Sequence, residues 1–435
     1  MGISTFVSKS VKPATTSTRR SRGSGGDIIL VAVVIALGIF GLLMLYSASP
    51  DFSLQTYNDA NYIFNKQLIF IAIGALVAYL FYRIDYHLWQ KFALVLMIMT
   101  IVLLLAVLVI NDVRNNSART FFGGSIQPSE LAKLTTIIYL SVWMYSKRDS
   151  LHDVNLGLIP LGVILGALGG LIFRQPDLSA AVTVFILGGL LFFLAGAEMR
   201  QIILFVVVAA IVGYIIVSVS ATGKSRLGPY FAGLKNPLQS SPHVLWSLES
   251  IFKGGWFGVG IGNASTKLIG LPYAATDSIF AVIVEELGLL GAIGLTGLYA
   301  LLAWRGLKIA SRAPDMLGVL VASGLTFWII IEASINMAVM VGLLPFAGNA
   351  LPMVSAGGSN LLSTLAAVGI LLNISRQGNN PAPSRVKIGT PQPRAGFGIS
   401  SDNQERKTFS ATVDLRRRDR RRSVSRTRRP ANHGK

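Results

Sequence analysis

Ten separate apolar stretches, joined by short polar segments, constrain the fold of this chain more than any other feature. Several approach 20 residues, the length at which a helix can cross a hydrocarbon core of roughly 30 Å. Of the 435 residues, 52% are hydrophobic and only 14% are charged. The sequence therefore predicts an all-α polytopic membrane protein with about ten transmembrane helices. The predicted spans are Ile28–Tyr46, Gln67–Phe81, Phe92–Ile110, Leu131–Tyr145, Leu156–Phe173, Leu178–Ala197, Ile202–Ser218, Ser278–Trp304, Leu317–Leu343 and Asn360–Ile374.

Lys and Arg residues fall in every second connecting segment, which predicts how the helices are oriented. They occur in the N-terminal arm and after the second, fourth, sixth and eighth spans. Cationic segments are retained in the cytoplasm, so both termini are expected there. The large segment Ala221–Thr276, between helices 7 and 8, is expected to be extracytoplasmic.

Most of the net charge of +19 lies in the two ends of the chain. Residues 1–26 contribute +5, and residues 376–435 carry 16 Lys or Arg against four Asp or Glu. Segments rich in Pro, Ser and Arg cannot bury a core. We therefore expect a disordered basic cytoplasmic arm at 1–26, a transmembrane domain at 27–376 and a disordered basic cytoplasmic tail at 377–435. The basic ends are expected to contact anionic lipid headgroups, and no accompanying domain favours nucleic acid as a partner.

The absence of cysteine from the sequence excludes several classes of chemistry. A chain without thiols has no disulfide, no thiolate nucleophile and no thiolate metal site. Its four histidines are scattered, which also disfavours a His-rich metal site. The remaining candidates are oxygen and nitrogen groups.

Two similar motifs place an acid directly before an apolar helix. Gln127-Pro128-Ser129-Glu130 precedes one span, and Arg174-Gln175-Pro176-Asp177 precedes another. Proline and an acidic residue both suit a helix start, so Glu130 and Asp177 are expected to act as helix caps. Glu130 can also pair with Lys133, three residues along the same helix face.

Asp277 lies at the outer mouth of the eighth span, and two interpretations of it stay open. It can cap that helix, or it can serve as a catalytic carboxylate. The preceding segment contains Lys253, Lys267 and several glycines, which could bring cations and close backbone to an anionic headgroup.

Two further carboxylates, Glu285 and Glu286, follow Asp277 along the eighth span. At 100° per residue, Glu285 is rotated by about 80° from Asp277 and Glu286 by about 180°. Glu285 is therefore the better candidate for a shared cavity. Glu286 is expected to pair with another helix through Arg174 or Lys133.

Proline and glycine residues interrupt the chain between spans nine and ten. Because irregular backbone at membrane depth must be covered by protein or line a watery cavity, Gly342–Pro352 is predicted to form a re-entrant or cavity-lining turn. Loop flexibility alone is the alternative. Asn336 precedes this turn, and the polar residues Ser355 and Ser359 follow it.

Seven sets of residues occur in an order that resembles one known family. They are Tyr46-Ser47-Ala48-Ser49, Gln127-Pro128-Ser129-Glu130-Leu131-Ala132-Lys133, Gln175-Pro176-Asp177-Leu178, Gly254-Gly255 with Gly258-Val259-Gly260, Leu271-Pro272 leading to Thr276-Asp277, Glu285-Glu286-Leu287-Gly288, and Ile335-Asn336 through Leu351-Pro352 to Gly357-Gly358-Ser359. This order, preserved across residues 28–376, resembles the SEDS family of peptidoglycan glycosyltransferases, typified by FtsW and RodA.

The resemblance implies that lipid II is polymerised into glycan strands on the outer face of the bacterial cytoplasmic membrane. In this inverting transfer, a sugar hydroxyl attacks the anomeric carbon and undecaprenyl pyrophosphate leaves. Asp277 corresponds to the family's essential aspartate and would act as the general base. Pyrophosphate charge would be stabilised by cations or by a divalent cation, Mg²⁺ or Mn²⁺. The candidate substrate-binding residues are Lys253, Lys267, Arg174, Arg119, Lys133, Glu130, Glu285, Asn336, Ser355 and Ser359.

The family also implies partners and a place in the cell. We expect a class B penicillin-binding transpeptidase as partner. The Ser47-Ala48-Ser49 motif and the long basic ends resemble FtsW more than RodA, which favours cell division, contact with divisome proteins and the division site. A RodA-like role in elongation is the alternative. Two other classes stay open: a lipid II flippase, since broken helices and polar groups at membrane depth also suit alternating access, and a noncatalytic scaffold.

Overall fold

The structure, a computed structural model, describes residues 26–111 and 127–379. Arg119, residues 1–25 of the predicted arm and residues 380–435 of the predicted tail lie outside the described residues. Within them, the chain forms fourteen α-helices and no strand. These are α1 (Ile28–Ala48), α2 (Pro50–Tyr57), α3 (Tyr62–Arg83), α4 (Leu88–Asn111), α5 (Pro128–Lys147), α6 (Ile159–Arg174), α7 (Leu178–Leu194), α8 (Met199–Val219), α9 (Ala221–Lys235), α10 (Pro242–Gly254), α11 (Thr266–Ile269), α12 (Ile279–Ala310), α13 (Met316–Met340) and α14 (Gly358–Asn379).

Each of the ten predicted spans falls on one of the helices α1, α3–α8 or α12–α14. Eight of these are long and apolar enough to cross a membrane. The exceptions are α7, with 17 residues, and α5, whose first turns carry Glu130 and Lys133. The prediction of an all-helical, multi-pass membrane protein is confirmed, while the number of spans and their orientation stay predictions.

The helices differ in how much of their surface their neighbours cover. α13 and α14 are largely buried, and α14 packs most extensively against α3. In contrast, α8 buries almost none of its apolar surface. Since lipid is as apolar as these side chains, an uncovered apolar helix suits the bilayer side of a bundle. The buried centre is therefore formed by α5, α12, α13 and α14.

The segment Ala221–Thr276, which the sequence places between helices 7 and 8, is largely helical. It contains α9, α10 and the short α11. Its glycines allow close packing: a Cβ on Gly254 would collide with the carbonyl of Val284, and one on Gly258 with the carbonyl of Glu286. These two glycines are therefore needed for the close packing of this segment against α12.

Helix α12 is broken in its N-terminal third, where the sequence predicted a continuous span. Gly288 has φ 68° and ψ −169°, which no helix permits. A strap of residues 255–260 pairs with the break: Val259 N donates to Glu285 O at 2.9 Å, and Gly260 N donates to Glu286 O at 3.0 Å. The strap thus satisfies the carbonyl groups that the broken helix leaves open.

We predict that Gly258→Ala destabilises the fold by about 1–3 kcal/mol or more, because Gly258 has φ 79° and its Cβ would meet the Glu286 carbonyl. Thermal unfolding of the purified chain in detergent should show a lower midpoint. Gly294→Ala, in α12 with open space around its Cβ position, is the matched control and should leave the midpoint unchanged or raise it. Equal midpoints for the native chain and Gly258→Ala would contradict this role of the strap.

Candidate functional site

A polar cavity of about 570 Å³ lies where α12 begins. We call it the Asp277 cavity. The starts of α5 and α7, helix α9, and the irregular segment before α14 all contribute to its wall. The lining includes Gln127, Glu130, Lys133, Asp177, Arg226, Tyr273, Asp277, Phe346, Gly348, Asn349, Ser359 and Asn360. The predicted cavity-lining turn, Gly342–Pro352, does line it through Phe346, Gly348, Asn349 and Ala350.

Asp277 is half-buried and lies just before α12. The N-cap of that helix is Ser278, so the interpretation of Asp277 as the helix cap is wrong. Two predicted residues fix the backbone around it. Asn336 Nδ2 donates to the Asp277 carbonyl at 2.8 Å, and Ser355 Oγ donates to the Thr276 carbonyl at 2.6 Å. Asn336 and Ser355 therefore position the carboxylate, although neither residue lines the cavity.

Arg226, on α9, is the cation that the sequence reasoning missed. Its Nη1 donates to the Ala347 carbonyl at 3.0 Å, and its guanidinium lies 5.9 Å from the Phe346 ring centre. A Cβ on Gly348 would lie 3.4 Å from Asp277 Oδ2 and 3.8 Å from Arg226 Nη2. The carboxylate and the guanidinium therefore flank the same glycine. The sequence signal that could have identified Arg226 is its position in the predicted outer segment.

Asp177 is both a helix cap and part of the cavity wall. Its Oδ1 accepts a hydrogen bond from Ala180 N at 3.2 Å, which confirms the capping prediction for α7. Its Oδ2 accepts from Gln127 Nε2 at 2.8 Å and from Ser129 Oγ at 2.7 Å. These bonds join the starts of α5 and α7 and hold the two Gln-Pro motifs together. Ser359, in turn, accepts from Gln127 N at 2.7 Å, which ties α14 to the same point.

Three of the lining side chains, Glu130, Lys133 and Asn360, form a buried charged cluster with Glu332. Lys133 Nζ donates to Glu130 Oε1 at 2.8 Å and also contacts Glu332 on α13. Asn360 Nδ2 donates to Glu130 Oε2 at 3.0 Å and to Glu332 Oε2 at 3.3 Å. The predicted Glu130–Lys133 pair is confirmed. Glu332 was missed, although a carboxylate in the middle of an apolar span is itself a signal.

Of the other predicted cations, Lys253, Lys267 and Arg174 do not line the Asp277 cavity. Lys253 is exposed and pairs with Glu249 at 2.8 Å. The ammonium of Lys267 is buried and bonds to Glu286 Oε1 at 2.8 Å and to the Ser47 carbonyl at 3.0 Å. Arg174 lies exposed in the last turn of α6. The helical fold of the predicted outer segment explains this result, because it places Lys253 beside Glu249 and Lys267 beside Glu286.

Glu285 and Glu286 both have partners other than those that the sequence predicted. Glu285 is fully buried and accepts from Ser265 N at 2.8 Å and from the Thr266 hydroxyl, away from the cavity. The expectation that Glu285 faces the cavity is therefore wrong. Glu286 pairs with Lys267, not with Arg174 or Lys133. The strap, which the sequence did not predict, brings these partners to the broken helix.

His243, on α10, lies next to the cavity between two aromatic rings. Its ring stacks on Phe346 with centres 3.8 Å apart and faces Tyr273 at 5.9 Å. Its Nδ1 lies 3.2 Å from Ser278 Oγ. Burial, together with the nearby Arg226 charge, lowers the pKa of His243 to about 4. The imidazole is therefore neutral at physiological pH.

Among residues 26–110 and 127–379, no group of three or more His, Cys, Asp or Glu residues could hold a metal ion. The expectation of Mg²⁺ or Mn²⁺ stays a prediction, since a cation carried by a pyrophosphate needs fewer protein ligands.

Comparison with known proteins identifies the family. The family model for the cell cycle proteins FtsW, RodA and SpoVE matches residues 27–380. This chain belongs to that family. Over 354 residues it is 38% identical to a Trichlorobacter lovleyi protein named "Probable peptidoglycan glycosyltransferase FtsW", covering 80% of this chain and 93% of the relative. It is 35% identical to stage V sporulation protein E of Bacillus subtilis, covering 80% and 97%.

Solved structures of the family share the fold. One chain, from a structure described as a peptidoglycan synthase complex that coordinates polymerization and crosslinking, aligns with a TM-score of 0.66 at 25% identity. The match covers 81% of this chain and 98% of that one. The rod shape determining protein RodA of Thermus thermophilus aligns with a TM-score of 0.58 at 24% identity, covering 81% and 97%. The RodA-like arrangement of helices is therefore established for this member of the family.

The lowered pKa of His243 predicts a pH-dependent stability. Between about pH 6.5 and pH 4 the unfolded chain protonates this histidine while the folded chain does not, so stability falls as the pH falls through this window. The thermal unfolding midpoint of the native chain should decrease over this range by more than that of His243→Phe, which keeps the aromatic stack. Parallel midpoint curves for the two chains would contradict the prediction.

Proposed function

We propose that this chain is a peptidoglycan glycosyltransferase that polymerises lipid II into glycan strands on the outer face of the bacterial cytoplasmic membrane. The names of its relatives support glycosyl transfer in peptidoglycan synthesis. The observation that carries the proposal for this chain is the Asp277 cavity, where a half-buried carboxylate and the Arg226 guanidinium flank Gly348. The carboxylate can accept a proton, and the guanidinium can bind a phosphate.

The carboxylate is placed for acid–base work. In the proposed step, the acceptor sugar hydroxyl transfers its proton to Asp277 while its oxygen forms a bond to the anomeric carbon of the donor. The bond from that carbon to the pyrophosphate oxygen breaks, and undecaprenyl pyrophosphate leaves. Asn336 and Ser355 hold the backbone of Asp277 and Thr276, which keeps the carboxylate in position during the transfer.

The guanidinium is the cation best placed for the leaving group. Arg226 keeps a fixed position through the Ala347 carbonyl and the Phe346 ring, and a planar guanidinium can bind phosphate oxygens in a bidentate manner. It therefore takes the task for which the sequence offered Lys253, Lys267, Arg174 and Arg119. Charge that develops on the pyrophosphate would be stabilised by a donor already in place.

An apolar groove of about 350 Å³ adjoins the Asp277 cavity and suits a polyprenyl chain. Side chains of α7, α8, α9 and α13 line it, including Leu178, Val182 and Ile335. Ser179, Arg226 and Phe346 belong to both the groove and the cavity. A lipid-linked substrate could thus place its chain in the groove, its pyrophosphate at Arg226 and its sugar near Asp277.

We further propose that the chain acts in cell division at the division site, with a class B penicillin-binding transpeptidase as partner and with contacts to divisome proteins. Relatives named FtsW support the division role. The related structure described as a peptidoglycan synthase complex supports a partnered enzyme, since polymerization and crosslinking are coordinated there. Co-purification of the full chain with candidate transpeptidases tests this assignment.

We predict that Asp277→Asn lowers the rate of glycan-strand formation from lipid II at least about 100-fold, because a positioned general base contributes roughly 10²–10⁴. The assay uses the purified full chain with a co-purified class B transpeptidase. Glu249→Gln, which changes a half-buried carboxylate of the same predicted outer segment that does not line the cavity, is the matched control and should keep the native rate.

Equal polymer from the native chain and Asp277→Asn would exclude the base role. If the native chain makes no polymer but moves lipid II across proteoliposomes, the flippase alternative would replace the polymerase. A transpeptidase that is activated equally by the native chain and by Asp277→Asn, without polymer from either, would identify a scaffold.

We predict that Arg226→Gln lowers the polymerisation rate roughly 100-fold, the usual effect of removing one preorganised donor from a developing negative charge. Lys224→Gln removes an exposed cation two residues earlier on α9 and should retain the native rate. Initial rates at saturating lipid II measure the difference. Equal losses in the two variants would mean that net charge, rather than the position of Arg226, is responsible.

A further inference from the structure

A second polar cavity, of about 350 Å³, lies at the opposite end of the bundle from Asp277. The start of α1 and the last turns of α12 and α14 enclose it. Its charged lining residues are Asp27, Arg305, Lys308 and Arg312. We call it the Arg305 cavity. By the distribution of Lys and Arg, this end is the predicted cytoplasmic one.

One acid and one base of this cavity neutralise each other. Arg305 Nε donates to Asp27 Oδ1 at 3.1 Å, and its Nη2 contacts Oδ2, so the pair is bidentate. Asp27 also caps α1 by accepting from Ile29 N and Leu30 N at 3.1 and 3.0 Å. Both side chains are about nine-tenths buried, with 11% and 9% exposure.

The other two cations leave the cavity with net positive charge. Across residues 26–110 and 127–379, no carboxylate lies within 4.0 Å of the Lys308 ammonium or the Arg312 guanidinium. Lys308 lies instead over the Trp304 ring, with Nζ 4.7 Å from its centre. With Asp27 and Arg305 balanced, the lining carries a formal charge of about +2.

Two further observations point to a lipid as the source of the anion. Trp304 is 54% exposed beside these cations, and tryptophan is enriched at the level of lipid headgroups. The chain itself offers no surplus of negative charge, since residues 1–25 contain no acid and residues 380–435 are strongly basic. Basic pockets between helices on the cytoplasmic side suit anionic headgroups.

We propose that the Arg305 cavity binds the phosphate of an anionic membrane lipid, with Lys308 and Arg312 as its cationic contacts and the Asp27–Arg305 pair as its floor. The site is separate from the Asp277 cavity and from the polyprenyl groove. An anionic lipid bound here would join the start of α1 to the ends of α12 and α14 and would stabilise the bundle at its predicted cytoplasmic end.

The test measures lipid binding by native mass spectrometry of the purified full chain, with phosphatidylglycerol and phosphatidylcholine as probes. The double variant Lys308→Gln with Arg312→Gln should lose phosphatidylglycerol affinity on the order of 30-fold, since each basic residue near an anionic surface contributes a factor of about five. Phosphatidylcholine binding should not change. The double variant Lys91→Gln with Arg200→Gln removes the same charge from exposed sites on the same predicted side and should retain the affinity.

A second variant has the opposite expected sign. Asp27→Asn keeps an oxygen that can cap α1 but removes the charge that competes for Arg305, so phosphatidylglycerol affinity should rise about fivefold. Equal losses in the two double variants, or no loss in either, would overturn the site and leave only a diffuse basic surface. Inorganic phosphate that displaces the lipid at millimolar concentration would assign the cavity to free phosphate and overturn the lipid proposal. A fall in affinity for Asp27→Asn would also count against it.

Discussion

The requirement that buried backbone polar groups be hydrogen-bonded governs the half of the bundle that contains Asp277. Asp277 lies in irregular backbone between α11 and α12, outside the regular backbone hydrogen bonds of a helix. Asn336 and Ser355 replace them by donating to the carbonyls of Asp277 and Thr276. The strap at 255–260 does the same for the carbonyls that the break at Gly288 opens. The position of the candidate catalytic carboxylate therefore follows from side chains and backbone remote in sequence.

Charged side chains in the wall of the Asp277 cavity are held by hydrogen bonds and by buried ion pairs. Asp177 links the starts of α5 and α7, and Lys133 links Glu130 to Glu332 across the bundle. Removing one member of such a buried pair is costly because it leaves an uncompensated charge. We propose that these residues stabilise the cavity wall and that Arg226 and Asp277 are the charged groups that meet the substrate; substrate binding by Glu130 and Lys133 stays a prediction.

Much of the fold could be read from the sequence because apolar length is a local signal. Every predicted span falls on a helix, and the predicted turn before α14 lines the cavity. The pairing of side chains that are distant in sequence could not be predicted from local patterns. The lysines Lys253 and Lys267 resembled phosphate ligands, but the helices of the outer segment direct them to Glu249 and Glu286. Arg226 and Glu332 were overlooked, although charge in an outer segment and in an apolar span marked both.

The most direct test of the account separates binding from chemistry at Asp277. The measurement is the affinity of Asp277→Asn for lipid II in nanodiscs, taken beside its rate of polymerisation. If Asp277 acts as the base, the affinity should stay within about threefold of the native value while the rate falls at least about 100-fold. A loss of affinity that matches the loss of rate would contradict the account, because it would make Asp277 a substrate-binding group rather than the acceptor of the hydroxyl proton.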